Sequence, residues 1–286
     1  MPFEGLKVLS LESRRAKEME SLIRREGGEP FVAPSVQERA LENQREVLKF
    51  VDRLDAGEFD LVVCMTGGGL SFLRELAIAD TDNTTLSRLA EGLRRTFIVA
   101  RGPKPVPILR ELGARAQIVV PEPNTWKEVV AAVASRPERR IAVQEYGRPN
   151  REMTAALEAL GAKVTPFATY RWELPADVEP LREAARRLAA RDFDVVLFTS
   201  SIQLDHLLEI ARQPGIELQV MDALANHTVI ASVGPIMTEA LEAAGLPVDI
   251  VPLHPKMAGL VKAAAEHAST ALARKRGIAL RTPAQV

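Results

Sequence analysis

Short, continuous apolar runs alternate along the chain with stretches whose apolar residues recur at helical spacing. Leu61–Met65 is apolar throughout, which is typical of a parallel strand covered on both faces. In residues 16–26, by contrast, Met19, Leu22 and Ile23 fall on one face of a helix. Strands that alternate with helices at this spacing predict parallel sheets with helices on both faces, joined by right-handed crossovers.

The opening strand, helix and strand of this pattern occur twice. Ile141–Arg171 aligns without a gap on Lys7–Gln37, and this register places Glu152-Met153 on Glu18-Met19. A repeat of this length is the size of a domain, so we infer a tandem duplication. Each copy supplies five predicted strands, which favours an α/β fold of two flavodoxin-like domains, each a doubly wound parallel sheet.

The two copies need not coincide with the folded domains. Pro34 breaks the pattern in the first copy, and Pro175 keeps Thr169–Asp177 from forming a helix in the second. These segments stand at equivalent places and have the character of linkers. The first strand–helix–strand can therefore pack with the residues that follow it or with the last third of the chain, and the periodicity leaves both arrangements open.

Composition and charge narrow the classes of function. The 286 residues are 47% hydrophobic and 26% charged, which is ordinary for a globular protein of this length. Thirty-seven basic and 38 acidic residues nearly cancel, which argues against nucleic acid or an anionic membrane as a partner. Cys64 lies in an apolar run and predicts a buried, inert thiol. We expect a cytoplasmic protein, because the sequence has neither a signal-peptide layout nor an apolar run of about 20 residues.

Six turns follow the carboxyl ends of predicted strands, where ligands bind in open parallel sheets. They are rich in Gly, Ser, Thr, Pro and Arg, which suits the binding of carboxylate or phosphate by backbone amides at helix N-termini. The alternative interpretation of each is an ordinary strand-to-helix turn with its helix cap. The turns are Glu12–Arg15, Thr66–Gly69, Arg101–Lys104, Glu145–Pro149, Thr199–Gln203 and Gly234–Thr238.

The turn Thr66-Gly67-Gly68-Gly69 is the one that an ordinary cap explains least well. Three glycines weaken the start of a helix, so the close approach of a ligand is a good reason to keep them. The sequence has no Walker or G-x-G-x-x-G pattern, so nucleotide binding is not supported. Its four histidines have no metal-ligand spacing, and we expect no metal site.

Charged and phenolic side chains add candidates at the same turns. Arg14, Arg101 and Arg148 could pair with carboxylates of a substrate, or remain solvated at the surface. Tyr146 and Tyr170 are the only tyrosines, and both lie at predicted strand ends. A phenol there can give a proton to a departing oxygen, whereas the alternative for each is a ring that packs.

Several pieces of the chain, in this order and spacing, resemble the uroporphyrinogen-III synthase family. The resemblance extends to about Ala273 and is carried by DLVVCMTGGGLSFL, ARGPKPVPILRELGA, IAVQEYGRPNREMTAALEALGA, DVVLFTSSIQLDHLLE and TVIASVGPIMTEALEAAG. It implies two flavodoxin-like domains joined by a two-segment extended linker, the first assembled from both ends of the chain. Domain 1 is then 1–35 and 174–270, domain 2 is 36–173, and 274–286 is a frayed tail.

The resemblance also implies an activity. The family closes the linear tetrapyrrole hydroxymethylbilane to uroporphyrinogen III, a lyase reaction of porphyrin and heme biosynthesis that inverts the D ring, releases water and uses no cofactor. Tyr170 aligns with the family's tyrosine and is the expected catalytic acid. We expect a monomer that binds this substrate and neither nucleic acid nor membrane. The predicted substrate-binding residues are Arg14, Thr66, Gly67, Gly68, Gly69, Arg101, Gly102, Lys104, Tyr146, Gly147, Arg148, Thr199, Ser200, Ser201, Gly234, Pro235 and Thr238.

Two turns depart from the family's pattern. The common G-P-T-T-A turn is Gly234-Pro235-Ile236-Met237-Thr238 here, which removes two hydroxyls and leaves Thr238 to substitute one place late. A serine-rich turn is replaced by Thr66–Gly69, which leaves backbone amides only, whereas Thr199-Ser200-Ser201 keeps the pattern. The missing hydroxyls keep an alternative function open: a non-catalytic protein of the same fold that binds a tetrapyrrole or another carboxylate ligand.

Overall fold

The computed structural model describes residues 2–41 and 43–277 of the chain. They form two compact units, which we name by their continuity in sequence. The split unit contains Met1–Gln37 and Glu173–Val286, and the continuous unit contains Glu38–Trp172. Each unit has a parallel sheet with helices on both of its faces.

Short strands and helices alternate through both units. The strands are β1 (Lys7–Ser10), β2 (Glu29–Val32), β3 (Gln37–Ala40), β4 (Leu61–Cys64), β5 (Phe97–Ala100), β6 (Ile118–Val119), β7 (Arg140–Gln144), β8 (Lys163–Phe167), β9 (Tyr170–Glu173), β10 (Val195–Phe198) and β11 (Val229–Ser232). The helices are α1 (Ala16–Arg25), α2 (Gln44–Asp55), α3 (Gly67–Ala79), α4 (Thr85–Arg95), α5 (Val106–Glu111), α6 (Trp126–Val133), α7 (Arg151–Ala159), α8 (Glu179–Ala189), α9 (Ser201–Arg212), α10 (Glu217–Asn226), α11 (Pro235–Ala243) and α12 (Met257–Lys275).

The continuous unit is built on a five-stranded parallel sheet in the order β6-β5-β4-β7-β8. Its central strand β4 is buried at every residue, because each of its side chains is apolar and faces helices. Val62 and Cys64 pack with α2, α3 and α4, whereas Leu61 and Val63 pack with α6 and α7. Burial raises the pKa of Cys64 to about 12, as expected of an inert thiol.

The split unit is built on a four-stranded parallel sheet in the order β11-β10-β1-β2. The predicted fifth strand, Asp249–Val251, is reduced to one parallel bridge between Ala231 and Ile250. Pro247 and Pro252 bracket this segment, and proline cannot donate to a strand ladder. With that bridge counted, the two sheets have the same spatial order when β7 and β8 are equated with β1 and β2. The predicted class, doubly wound parallel α/β sheets, is confirmed, and the duplication behind it remains a prediction.

The apolar spacing of Leu41, Val47, Leu48, Val51 and Leu54 predicts a helix from just after Ser35 to about Leu54, and the start of that prediction is wrong. Gln37–Ala40 forms β3, which pairs with β9 in a two-stranded sheet, and α2 begins only at Gln44. The residues QERA favour a helix locally, but the partner strand offers backbone hydrogen bonds that override this propensity. Helices α4 and α10 lie where no element is predicted. In α4, Leu89 and Leu93 are buried on one helical face.

Helix α12 closes the split unit with two ion pairs at its end. Lys275 Nζ lies 2.7 Å from Asp249 Oδ2, and Arg276 Nη2 lies 3.0 Å from Asp194 Oδ1. The prediction that the tail frays from Arg274 is therefore wrong for its first residues, which belong to α12 and its end. Residues 278–286 lie outside the described residues. Across the part of the chain that is described, no helix is long and apolar enough to cross a bilayer.

Candidate functional site

Three loops of the continuous unit meet at the carboxyl edge of its sheet. Strands β5, β4 and β7 are parallel neighbours, so the chain leaves all three at the same edge. The N–H of Thr66 donates to Oε1 of Gln144 at 2.9 Å, and the N–H of Arg101 donates to the carbonyl of Cys64 at 3.0 Å. The guanidinium carbon of Arg101 lies 4.9 Å from the centroid of the Tyr146 ring. Predicted residues that are distant in sequence thus lie together.

Helix α3 begins at this edge with a capped, glycine-rich turn. Thr66 is extended, and its Oγ1 accepts the N–H of Gly69 at 3.1 Å. A Cβ on Gly67 would lie 2.4 Å from the carbonyl oxygen of Lys104, and a Cβ on Gly69 would lie 2.4 Å from Nε2 of Gln144. The backbone of Lys104 therefore requires glycine at 67, whereas at 69 the side chain of Gln144 occupies the place that a Cβ would take. The first amides of α3 have no acceptor inside the helix, which suits them to an anion.

The turn after β5 packs closely against this one. Gly102 has φ of 133°, and a Cβ there would lie 2.5 Å from Oδ1 of Asn124. The carbonyl of Lys104 faces Gly67, whereas the side chain of Lys104 is exposed. This turn therefore positions Arg101 at one end and an exposed cation at the other.

The guanidinium of Arg101 is half-buried beside two phenols, those of Tyr146 and Tyr170. Burial lowers the pKa of Arg101, and the two tyrosines act in the opposite direction. Arginine nevertheless remains protonated at neutral pH. In residues 2–41 and 43–277 no carboxylate pairs with this guanidinium. Its charge is therefore available to an anion.

Tyr170, the predicted acid, is 2% exposed. Its ring stacks on Phe72 with 5.6 Å between the centroids, and its hydroxyl lies 3.4 Å from Oγ1 of Thr66. The phenol thus reaches the capped turn of α3 from the neighbouring β9. A proton from Tyr170 can therefore pass to a group that comes next to Thr66 and Arg101.

Tyr146 is held from two sides. Nδ2 of Asn150 donates to its hydroxyl at 3.2 Å, and the ring of Trp172 meets its ring edge-on at 5.8 Å. Gly147 has φ of 81°, and a Cβ there would lie 2.3 Å from the Trp172 ring, so that glycine alone fits. The next residue, Arg148, is exposed. This loop fixes the ring of Tyr146 beneath the Arg101 guanidinium.

The carboxyl edge of the split unit uses its polar groups internally. Oγ1 of Thr199 donates to Oε2 of Glu12 at 2.8 Å. The N–H groups of Thr199 and Ser200 donate to Oε1 of Gln203 at 2.7 and 3.2 Å. Arg14 is exposed at the same edge. This edge therefore holds a carboxylate and amides that already have acceptors.

The turn after β11 also directs its hydroxyl inward. Pro235 opens α11, Oγ1 of Thr238 donates to Oγ of Ser232 at 2.9 Å, and Ser232 donates to the carbonyl of Gly234 at 3.1 Å. Ser201, at the start of α9, is buried as well. The hydroxyl of Thr238 is thus engaged within the unit and not presented to a ligand.

Three polar residues at these edges are not among the predicted substrate-binding residues, although two of them lie in predicted turns: Glu12, Gln144 and Glu145. Gln144 is fully buried, and a glutamine that directly follows the buried apolar run 141–143 is a sequence signal for such a site. Glu145 is half-buried, and burial raises the pKa of its carboxyl. Within the described ranges no cluster of three or more His, Cys, Asp or Glu side chains is placed to hold a metal ion.

Two doubly wound parallel units, one of them interrupted in sequence, and an edge of cationic and amide donors define a two-unit α/β protein suited to an anionic ligand. The family model described as Uroporphyrinogen-III synthase HemD matches residues 17–262, and the chain belongs to this family.

The chain is similar to two curated proteins and to a solved structure. "Putative uroporphyrinogen-III synthase" of Methanothermobacter thermautotrophicus is 28% identical over 81% of this chain and 87% of its own length. "Uncharacterized protein YjjA" of Bacillus subtilis is 25% identical over 90% of this chain and 94% of its own length. A crystal structure of a mutant uroporphyrinogen III synthase from Thermus thermophilus has a TM-score of 0.69 at 23% identity, covering 94% of this chain and 100% of that one. At that identity the similarity shows the fold.

Proposed function

We propose that the chain is a uroporphyrinogen-III synthase, which closes hydroxymethylbilane to uroporphyrinogen III with inversion of the D ring and loss of water, without a cofactor. Family membership supports the reaction class. The observation that carries the proposal is the edge of the continuous unit, where a half-buried guanidinium without a carboxylate partner among the described residues lies beside the Tyr170 phenol and the start of α3.

The physical task of such an enzyme is mainly one of positioning. Hydroxymethylbilane is a flexible chain of four pyrroles with many carboxylates, and its end rings must meet before the ring can close. Amides at helix N-termini can hold carboxylates without a strongly basic protein. The net charge of −1 is compatible with this means of binding. We propose that the amides at the start of α3 and the side chains of Arg101 and Arg148 hold carboxylates at the edge of the continuous unit. Arg14 and the starts of α9 and α11, in the split unit, remain predicted contacts.

One step needs an acid. The A-ring hydroxyl leaves as water, so a proton must reach its oxygen as the C–O bond breaks. We assign this proton to Tyr170, whose phenolate is then stabilised by the charge of Arg101 and by the hydroxyl of Thr66. The substituted D-ring carbon attacks the resulting cation to form a spiro intermediate, which fragments and closes again with the ring inverted.

The test is the isomer formed from hydroxymethylbilane. The purified protein should yield uroporphyrinogen III, whereas the spontaneous reaction yields the I isomer. Tyr170→Phe keeps the ring on Phe72 and removes the proton, so we expect about a hundredfold lower kcat with little change in thermal stability. Folded parent protein that gives only the I isomer would sink the proposal, and unchanged turnover in Tyr170→Phe would remove the role of that residue.

A second candidate is a non-catalytic protein that binds a tetrapyrrole or another polycarboxylate. The observation that favours it is the inward direction of the hydroxyls of Thr199 and Thr238, which donate to Glu12 and Ser232. Tight binding of hydroxymethylbilane without faster ring closure would establish this alternative. We also propose that the protein is a monomer, which sedimentation equilibrium with and without ligand would test.

A further inference from the structure

A buried glutamine holds the turn after the central strand in each unit. Gln203 in the split unit is 3% exposed, and Gln144 in the continuous unit is 0% exposed. Oε1 of Gln203 accepts the N–H groups of Thr199 and Ser200, and Oε1 of Gln144 accepts the N–H of Thr66. In both units an amide oxygen therefore fixes the backbone just before a helix.

The two glutamines reach their turns from opposite sides. Gln203 is the third residue after the cap of α9, and its Nε2 donates back to the carbonyl of Leu11, which follows β1. The third residue after the cap of α3 is Gly69, and the glutamine stands instead at the end of β7, the neighbouring strand. A Cβ on Gly69 would meet Gln144 at 2.4 Å. Glycine at 69 thus makes room for the glutamine at 144.

The two side-chain amides differ in whether their Nε2 hydrogens have acceptors. Nε2 of Gln203 also donates to Oγ1 of Thr199 at 2.9 Å, so its group is satisfied. Nε2 of Gln144 has no acceptor anywhere in the described residues. A buried donor without a partner is rare in folded proteins and calls for a reason. The remaining contact of the Gln144 amide, from Oε1 to Thr66, is the one that explains its presence.

We propose that Gln144 is a positioning residue for Tyr170 that acts through Thr66, an inference that rests on the function proposed above. Gln144 fixes the N–H of Thr66, and Thr66 Oγ1 accepts the N–H of Gly69. Oγ1 of Thr66 lies 3.4 Å from the phenol oxygen, so that its hydroxyl can donate to that oxygen once the phenol has lost its proton. This distance is long for a neutral pair and shortens when the phenol becomes charged.

The chemical role follows from the proton balance. Tyr170 gives its proton to the departing hydroxyl, the C–O bond breaks and water leaves, so that a phenolate remains. The phenolate accepts the hydrogen of Thr66 and faces the charged Arg101. When the ring closes, the pyrrole carbon that forms the last bond loses a proton, and the phenolate takes it up. If Thr66 is misplaced, the Tyr170 phenolate is less stabilised, and the loss of water that forms it is therefore slower.

The first test needs no substrate, because the chain has only two tyrosines. Protein labelled with ¹³C at the tyrosine ζ carbon and carrying Tyr146→Phe reports the titration of Tyr170 alone by NMR. Gln144→Met should raise the pKa of Tyr170 by roughly one unit, because the hydrogen bond that favours the phenolate is weakened. Gln117→Met is the matched control, since Gln117 accepts the backbone N–H of Ile98 elsewhere in the same unit. Equal titrations in folded Gln144→Met and its parent would overturn the proposal.

The second test moves the glutamine to the position it has in the other unit. Gln144→Ser and Gln144→Met should each lower kcat about tenfold and change KM less than twofold. The double variant Gln144→Ser with Gly69→Gln should recover most of kcat, because an amide again accepts the Thr66 N–H from the helix side. A change confined to KM, or a double variant that folds without recovery, contradicts the proposal. If the parent forms no III isomer, the proposed function fails, and the titration still decides the effect of Gln144 on Tyr170.

Discussion

The two units share a strand order and differ in how they use the carboxyl edges of their sheets. In the split unit, hydroxyls and amides at this edge donate to Glu12, Gln203 and Ser232. In the continuous unit, the guanidinium of Arg101 and Nε2 of Gln144 have no hydrogen-bond or ion-pair partner in the described chain. In the same type of sheet, the polar groups at the carboxyl edge can therefore be paired within the protein or left without a partner. The edge that carries the open guanidinium of Arg101 is the one prepared for an anion, whereas the Gln144 amide is fully buried and positions Thr66.

Leaving donors open has an energetic cost that closed pairs avoid. A buried donor without an acceptor costs about 1–3 kcal/mol of stability. Proteins retain such costs mainly where a ligand supplies the missing partner, since activity and stability compete at functional sites. Substitutions in the two units should therefore separate stability from ligand binding, as the following predictions state.

The largest effect is expected in the split unit, at the pair of Lys275 and Asp249. Their side chains are 7% and 10% exposed, and Oδ2 of Asp249 also accepts the N–H of Ile230. Lys275→Ala leaves a buried carboxylate without its counter-charge, which should lower the free energy of unfolding by about 3–5 kcal/mol. Denaturant unfolding followed by circular dichroism measures this loss. Lys275→Met combined with Asp249→Asn, which removes both charges, should recover much of it; a loss below about 1 kcal/mol in Lys275→Ala would contradict the prediction.

An effect of opposite kind is expected in the continuous unit, at Arg101. Arg101→Met removes a half-buried charge that has no carboxylate partner in the described residues, so thermal stability should hold or rise. Ligand binding should weaken, with KM for hydroxymethylbilane raised about tenfold to a hundredfold. The exposed Arg115→Met in the same unit is the control and should change neither quantity. If Arg101→Met lowers thermal stability and leaves KM unchanged, Arg101 serves stability and not ligand binding, which contradicts the prediction.

The smallest effect concerns pH and Glu145. Burial raises the pKa of this carboxyl, so the folded protein favours its neutral form. That contribution to stability is full below the unfolded-state pKa and is lost as pH rises through the folded-state pKa. Glu145→Gln, which is neutral throughout, should therefore gain stability relative to the parent as pH rises from about 4 to about 7. Thermal melts across this range measure the gain.

The exposed Glu158→Gln on α7 is the matched control for that series. The difference in thermal stability between Glu158→Gln and the parent should not show the gain with rising pH that is expected for Glu145→Gln. A Glu145→Gln difference that stays flat or shrinks with rising pH would show that burial does not govern this carboxyl.

Much of the fold could be predicted because its strands are short and apolar throughout. Leu61–Cys64 and Val195–Phe198 are identified by composition alone, since a parallel strand covered on both faces admits few polar residues. The strand Gln37–Ala40 could not be predicted, because its four residues have no such pattern and its partner β9 is far away in sequence. Pairing with β9 determines the conformation of this segment, and the local sequence propensity carries no information about that pairing.

The candidate site divides in the same way. The loops that carry Thr66, Arg101 and Tyr146 could be predicted, because parallel strands end at one edge and such turns have recognisable chemistry. The sequence could not predict which donors already have acceptors, because this depends on tertiary contacts such as that of Glu12 with Thr199. The three glycines at 67–69 illustrate the limit: Gly67 and Gly69 make room for Lys104 and Gln144, and a ligand is not needed to explain them.

The central claim is that the open edge of the continuous unit holds the carboxylates of the ligand, and its most direct test is a binding map. Uroporphyrin III, a stable polycarboxylate of the product's shape, would be titrated into ¹⁵N-labelled protein and followed by NMR. We predict the largest shifts at the amides of Gly67 and Gly68 and at Nε of Arg101, with smaller shifts at Thr199 and Ser200, whose amides already donate to Gln203. Largest shifts at the split unit's edge, or none at the start of α3, would contradict the account.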